Sequence, residues 1–258
     1  MKSGLVEVTP AHADARLASL LESSLALRVR GAIDRERART WAAAVQAARS
    51  EWIEDFDGAQ FSLGRAWYTH LEQDRAGAYF SGVAASDASV ERACSGLQAT
   101  MRALATRVVG APVTARAGWC GPGVHVFPAG AHVAQNGGDV HFDTEGLTPA
   151  HVAERAPALT LVLMLQPAQS GGGLRVWDVT YDGSDAYEDL VTHEARAPEG
   201  RADEDLERAH VTCEYAVGDL LVIDSYRLHQ IQPFAGATDR ISATCHTAFV
   251  AGAWETWF

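Results

Sequence analysis

At 258 residues, 47% of them hydrophobic, the chain is long enough to bury one large core. A net charge of −12 and a pI near 5.2, with no basic run longer than two residues, argue against a nucleic-acid partner, which needs a basic face. No stretch approaches the roughly 18 apolar residues of a membrane span, and MKSGLVEVTPAHADARL has no apolar core of signal-peptide length, so no membrane partner and a cytoplasmic location are expected. The four cysteines, Cys94, Cys120, Cys213 and Cys245, lie far apart without a Cys-x-x-Cys pair, which predicts reduced, buried thiols.

Residues 10–110 read as helical, because Ala, Leu, Arg and Glu dominate and apolar residues recur at three and four. Leu17, Leu20, Leu21, Leu25 and Leu27 begin one face. An Ala-rich helix follows behind Asp34, and 58–63 reads as a break. A second helical set covers about 64–74 and 89–109, with Ser86 or Asp87 as candidate caps. These helices are expected to buttress one side of a sheet.

From Ala111 the composition changes to short β-branched runs broken by Gly and Pro: GVHVFP, GGDVHFD, ALTLVLMLQ, GGLRVWDV, HVTCEYAV, GDLLVIDS and RISATCHTAFV. Strands at such spacing predict a sandwich or barrel, and a sheet closed on itself makes a cavity for a small ligand. The acidic stretch from Tyr181 to Arg208 reads as a surface excursion, helical in part. The expected organisation is one domain over 1–258, with 1–110 as helical support and 111–258 as the β core carrying that insertion.

One constellation in this half carries chemistry. In an extended strand, residues i and i+2 share a face, so His141 and Asp143 can bind side by side while Phe142 turns away. His229, just past the apolar run Leu220 to Ile223, is placed to complete the set from a distant strand. Two histidines and one carboxylate on one face, with other positions open, suit a non-haem Fe(II) centre. Farther on, Arg240 offers a planar fork matched to a carboxylate, and Ser242 shares its face. Thr160, on the same face of its strand as Val162 and Met164, is a further candidate for co-substrate binding. His125, His132 and His246 read as packing or ligand-orienting groups.

With these residues in place, the stretch from Val124 to Phe249 resembles the Fe(II)/2-oxoglutarate-dependent oxygenases, whose pattern is His-x-Asp, a distal His and a basic residue beyond it. Through LTLVLMLQPAQSGGGLRVWD and GDLLVIDS it is most similar to the prolyl-hydroxylase-like branch. That branch often uses Lys where this chain has Arg240, and the Arg-x-Ser pattern occurs in other branches.

The resemblance implies an α+β fold with a double-stranded β-helix (jelly-roll) core and an N-terminal helical segment packed on it. It also implies Fe(II) on His141, Asp143 and His229, and 2-oxoglutarate held through Arg240 and Ser242. Oxygen would be consumed, with succinate and CO2 formed. Halide-transferring relatives replace the carboxylate ligand with Gly or Ala; Asp143 is present here, which points to hydroxylation. The expected substrate is a small polar metabolite such as a free amino acid or biosynthetic intermediate, with a peptide side chain as the alternative. Arg227, Arg175 and Trp177 are candidate substrate contacts. From another class, a cupin-like isomerase or metal-dependent binding module would keep the metal set and leave Arg240 without a dicarboxylate to hold.

Overall fold

In the computed structural model, which describes residues 3–10, 17–181 and 206–258, the chain is a mixed α+β fold built on one large sheet. In chain order the strands are β1 (Ser3–Val8), β2 (Ser24–Val29), β3 (Ile53–Asp55), β4 (Gln60–Leu63), β5 (Val113–Ala115), β6 (Gly123–Phe127), β7 (Ala158–Gln166), β8 (Ser170–Gly171), β9 (Leu174–Thr180), β10 (His210–Cys213), β11 (Leu220–Asp224), β12 (Arg227–Ile231), β13 (Phe234–Ala235), β14 (Arg240–Val250) and β15 (Ala253–Trp257). The helices are α1 (Arg35–Ala47), α2 (Trp67–Glu72), α3 (Ala76–Ser81), α4 (Val83–Ala93), α5 (Leu97–Val109), α6 (His132–Asn136) and α7 (Pro149–Ala153). The large sheet runs β1-β2-β11-β7-β14-β6-β4-β3, with β15 paired to β14 and carrying β5. A smaller sheet runs β10-β9-β12, and β8 pairs with β13.

The period-two alternation of the central strands divides the molecule into layers. From β14, Ile241, Ala243 and Cys245 point to one side. There, with Leu161, Leu163 and Leu165 of β7 and Val124 and Val126 of β6, they pack against Trp41 and Val45 of α1 and Met101, Leu104 and Val108 of α5. The opposite parity, Arg240, Ser242, Thr244 and His246 of β14 with His125 of β6 and Thr160 of β7, lines a cavity. Leu174 and Val176 of the smaller sheet pack with Val162, Met164, Leu221 and Ile223 beside it. The chemistry-bearing side chains thus share one face of the large sheet, and α1, α4 and α5 cover the other.

The first 110 residues are not uniformly helical: they contribute β1, β2, β3 and β4 to the large sheet. The leucines read as one helical face split instead, into a 3₁₀ turn at Leu17–Glu22 and the strand β2. Leu25, Ala26, Leu27 and Val29 are buried between β1 and β11, so pairing on both edges overrides the helix propensity of Leu and Ala. The expected break at 58–63 contains β4. Asp34 does cap α1, accepting from the N–H groups of Glu36 at 2.8 Å and Arg37 at 3.2 Å. The helix expected over 89–109 is two helices, separated at Gly96, whose φ of +75° is the left-handed conformation glycine tolerates. Ser86 and Asp87 lie inside α4 and are not caps; their side chains accept from Arg65 N and Gly121 N at 2.8 and 2.9 Å. The acidic excursion falls almost wholly on 182–205, outside the described residues. All four cysteines are free and buried. No described helix is long and apolar enough to cross a membrane.

Candidate active site

The His141–Asp143 segment is not a regular strand. It is fastened to β12 by an isolated bridge in which His141 N donates to His229 O at 3.0 Å and His229 N to His141 O at 2.9 Å. Asp143 N donates to Ser225 O at 2.9 Å, and Phe142 turns away into an apolar cluster with Tyr181, Tyr226 and Trp257. The bridge brings the two imidazoles to a centroid separation of 4.2 Å. His229 Nε2 lies 3.2 Å from one carboxylate oxygen of Asp143, and His141 Nε2 lies 3.5 Å from the other. One ligand atom from each of the three residues falls within 4.8 Å of the others, a set able to hold a metal ion.

What holds these rings is as informative as their positions. His141 Nδ1 donates to Asp139 O at 2.8 Å and His229 Nδ1 to Arg227 O at 2.9 Å, so both histidines spend Nδ1 on a backbone carbonyl and present Nε2 inward. Thr160 Oγ1 donates to Asp143 Oδ2 at 2.6 Å and also meets Ser225 Oγ and His246 Nδ1 at 3.0 and 3.2 Å. Burial opposes the Asp143 charge, but the field of His229 and hydrogen bonds from both histidines outweigh it, holding the carboxyl well below its usual range. Burial likewise opposes charge on His141, yet the hydrogen bond and charge of Asp143 raise it to about 9. A cation taking the place of that proton meets a carboxylate already ionised.

The triad faces a cavity of about 890 Å³, within the size range of small-molecule sites. Arg240, only 1% exposed, lines it with Ser242. Its guanidinium is fixed by three donations: Nε to Gly172 O at 2.9 Å, one terminal nitrogen to Ser242 Oγ at 3.3 Å, and the other to the Tyr215 hydroxyl. Three of the five guanidinium N–H groups are thereby used, leaving two for an anion. No acidic side chain pairs with Arg240 among the described residues. An arginine buried to this degree without a counter-ion is costly unless a ligand supplies one.

Not every expected residue arrives. Arg175 and Trp177 have the parity opposite to Leu174, which lines the cavity, and so face away from it. Arg175 Nε reaches Thr212 Oγ1 at 3.4 Å and its guanidinium lies over the Trp177 ring, while Trp177 Nε1 donates to Leu206 O at 3.1 Å. Arg227 has the parity of His229, but the pairing with β9 slips between them, and its guanidinium donates to Asp178 Oδ1 at 2.5 Å. None of these three lines the cavity among the described residues. Thr160 does, with its hydroxyl committed to Asp143.

Tyr215 and Gly172, which hold Arg240, carry no motif of their own. Of the two, only Gly172 left a trace, in the Gly171 to Gly173 run: its φ is +73°, and a Cβ there would stand 3.4 Å from Arg240 Cδ. The segment 56–73 was equally silent. Gln60, Tyr68 and His125 form a hydrogen-bonded wall of the cavity, Tyr68 Oη donating to Gln60 Oε1 at 2.8 Å and Gln60 Nε2 meeting His125 Nδ1 at 3.2 Å. Burial pushes His125 down to about 3, so this ring is neutral.

No family model matches the sequence, and no curated protein sequence matches it. Solved structures do. An N-substituted L-amino acid dioxygenase from Burkholderia ambifaria AMMD is 14% identical, with 97% of this chain and 92% of that one covered at a TM-score of 0.59. The non-haem α-ketoglutarate-dependent carbocyclase SnoK from nogalamycin biosynthesis is 12% identical over 98% and 100%, at 0.58. The epimerase SnoN from the same biosynthesis is 15% identical over 92% and 82%, at 0.56. What is shared at these identities is the fold, and the fold of this chain is that of the Fe(II)/2-oxoglutarate-dependent oxygenases.

Proposed function

We propose that the chain is a Fe(II)/2-oxoglutarate-dependent oxygenase that oxidises a C–H bond of a small polar metabolite, hydroxylation being the expected outcome. The single observation that carries this reading is the pairing, on one sheet face, of a two-histidine, one-carboxylate set with a buried arginine that has no acidic partner among the described residues. A cupin-like isomerase or binding module would need the first feature and not the second. The facing sheets around this cavity fit a jelly-roll core, and the whole chain would act as one domain.

His141, Asp143 and His229 would hold Fe(II), with Nε2 of each ring and a carboxylate oxygen as donors. The donor set fits: both rings spend Nδ1 on a backbone carbonyl, so a metal would take Nε2 in place of its proton, and Asp143 is ionised and steadied by Thr160. When bound, Fe(II) with 2-oxoglutarate supplies the oxidative chemistry that couples O2 to C–H oxidation, with succinate and CO2 formed. The chain's own part is positioning. Arg240, with Ser242 beside it, takes the distal carboxylate of 2-oxoglutarate, and Gly172 and Tyr215 keep the fork aimed. The apolar residues Val162, Leu174 and Phe127 line the same cavity and keep water from that part of its wall.

The test is stoichiometric. With Fe(II), 2-oxoglutarate, O2 and pools of small amines, amino acids and biosynthetic intermediates, succinate should form in step with a product heavier by one oxygen. His229→Ala should abolish both while the protein stays folded. Oxidation that proceeds without consumption of 2-oxoglutarate would overturn the proposal.

A further inference from the structure

One ring in the cavity wall belongs to neither anchor. His246 of β14 stands directly opposite Thr160 of β7, lines the cavity and is 8% exposed. Burial lowers it, so the imidazole is neutral and carries a single N–H. Its neighbours decide which nitrogen holds that hydrogen. The Asp143 carboxylate, as a metal ligand, has no hydrogen to give, so the one in its 2.6 Å contact with Thr160 Oγ1 comes from Thr160. With its only proton spent, the Thr160 oxygen can do no more than accept, and it lies 3.2 Å from His246 Nδ1. His246 is therefore the Nδ1–H tautomer, and its Nε2 carries a lone pair.

That lone pair has no donor facing it among the described residues. The polar side-chain atoms sealed from solvent without a partner there are Arg75 Nε, Arg227 Nε and Trp257 Nε1. His246 Nε2 is not one of them, so it opens on the cavity that its ring lines. Loading the site as proposed above, on which this inference rests, does not supply the donor. The metal takes His141, Asp143 and His229, and 2-oxoglutarate, as a dianion, offers only acceptor oxygens. Water can fill the place until the molecule to be oxidised arrives and displaces it. An arriving molecule without a donor leaves the lone pair desolvated and unpaired, which is how a site built around a hydrogen bond rejects the analogue that cannot make it.

We propose that His246 is a specificity-determining residue: its Nε2 accepts a hydrogen bond from a hydroxyl or an amide N–H of the primary substrate, and substrates lacking such a donor are disfavoured. Through Nδ1 the same ring joins substrate to metal site. The substrate donor, His246, Thr160 and Asp143 form one chain in which every hydrogen points toward the carboxylate, so a bond accepted at Nε2 strengthens the two that follow it.

Two pairs of probes, each pair alike in frame and different in its donor hydrogen, test this: 2-phenylethanol with (2-fluoroethyl)benzene, and phenylacetamide with methyl phenylacetate. Their dissociation constants for the protein loaded anaerobically with Fe(II) and 2-oxoglutarate are measured by calorimetric titration in the wild type, His246→Phe and His246→Gln. The donor's advantage is the ratio of the two constants within a pair, in which any harm that a variant does to the fold, or to Asp143 through Thr160, cancels. In at least one pair this advantage should be about threefold to tenfold larger in the wild type than in His246→Phe. His246→Gln, whose Oε1 can accept, should recover part of it, and the pair that responds assigns the donor as hydroxyl or amide. An equal ratio in the wild type and His246→Phe for both pairs, no binding of any probe, or no recovery in His246→Gln would overturn the proposal. Binding of 2-oxoglutarate, measured in the same wild-type samples, separates the two claims: its absence sinks the oxygenase reading, whereas its presence with no donor preference sinks this inference alone.

Discussion

Thr160 shows what a single side chain adds to the metal set. Its parity on β7 places it toward the cavity, where its hydroxyl donates to Asp143. Thr160→Val keeps the volume and removes that donor, so Asp143 loses the partner fixing its carboxylate. Iron affinity should fall about 10–100-fold, measured by competition with a chelator, while the melting temperature changes little. Tyr215 plays the same part for Arg240. Tyr215→Phe removes a hydrogen bond to a charged group, of the order of 1.5–3 kcal/mol, and should weaken 2-oxoglutarate binding by about tenfold or more while leaving iron affinity unchanged. Of these residues the sequence made Arg240 and Ser242 legible, because a basic residue beyond a distal histidine is a local pattern. Tyr215 was not legible, since only the pairing of whole strands carries it to Arg240. Arg227 misled because face-sharing by parity fails where strand pairing slips.

Among the elements, β7 and β14 could be read almost to the residue, being apolar runs long enough to show which parity is buried on which side. Strand β2 could not: SLALRV is rich in helix formers, and only its neighbours β1 and β11 make it a strand. The turn after β7 is where element geometry touches the site. Gly172 takes φ +73°, and a Cβ there would sit 3.3 Å from Phe234 Cβ and 3.4 Å from Arg240 Cδ. Gly172→Ala should therefore cost about 1–2 kcal/mol from the left-handed backbone alone. The crowding displaces Arg240 as well, so a lower melting temperature should come with weaker 2-oxoglutarate binding. A variant that loses stability but binds 2-oxoglutarate normally would mean that the Gly172 carbonyl does not position the guanidinium.

At the scale of the whole molecule, the layering explains why half of the site was legible and half was not. Helices α1, α4 and α5 take one face of the large sheet, so every functional side chain of β6, β7 and β14 falls on the other, and the metal set and Arg240 share one cavity. Those residues lie in one stretch and follow strand periodicity. The opposite wall comes from 56–73, delivered by pairing of β4 with β6, in which Ser62 stands opposite His125. Nothing local in that stretch announces a cavity: 58–63 reads as a break and 64–74 as a buttressing helix. The central claim, that His141, Asp143, His229 and Arg240 bind Fe(II) and 2-oxoglutarate together, is tested most directly by anaerobic titration of the Fe(II)-loaded protein with 2-oxoglutarate, followed by visible absorption. A metal-to-ligand charge-transfer band should grow and saturate at one 2-oxoglutarate per chain, vanish in Asp143→Ala, and in Arg240→Ala require far more 2-oxoglutarate, matching a loss of about 2–5 kcal/mol. A wild-type protein that binds Fe(II) yet develops no such band at saturating 2-oxoglutarate would contradict the account.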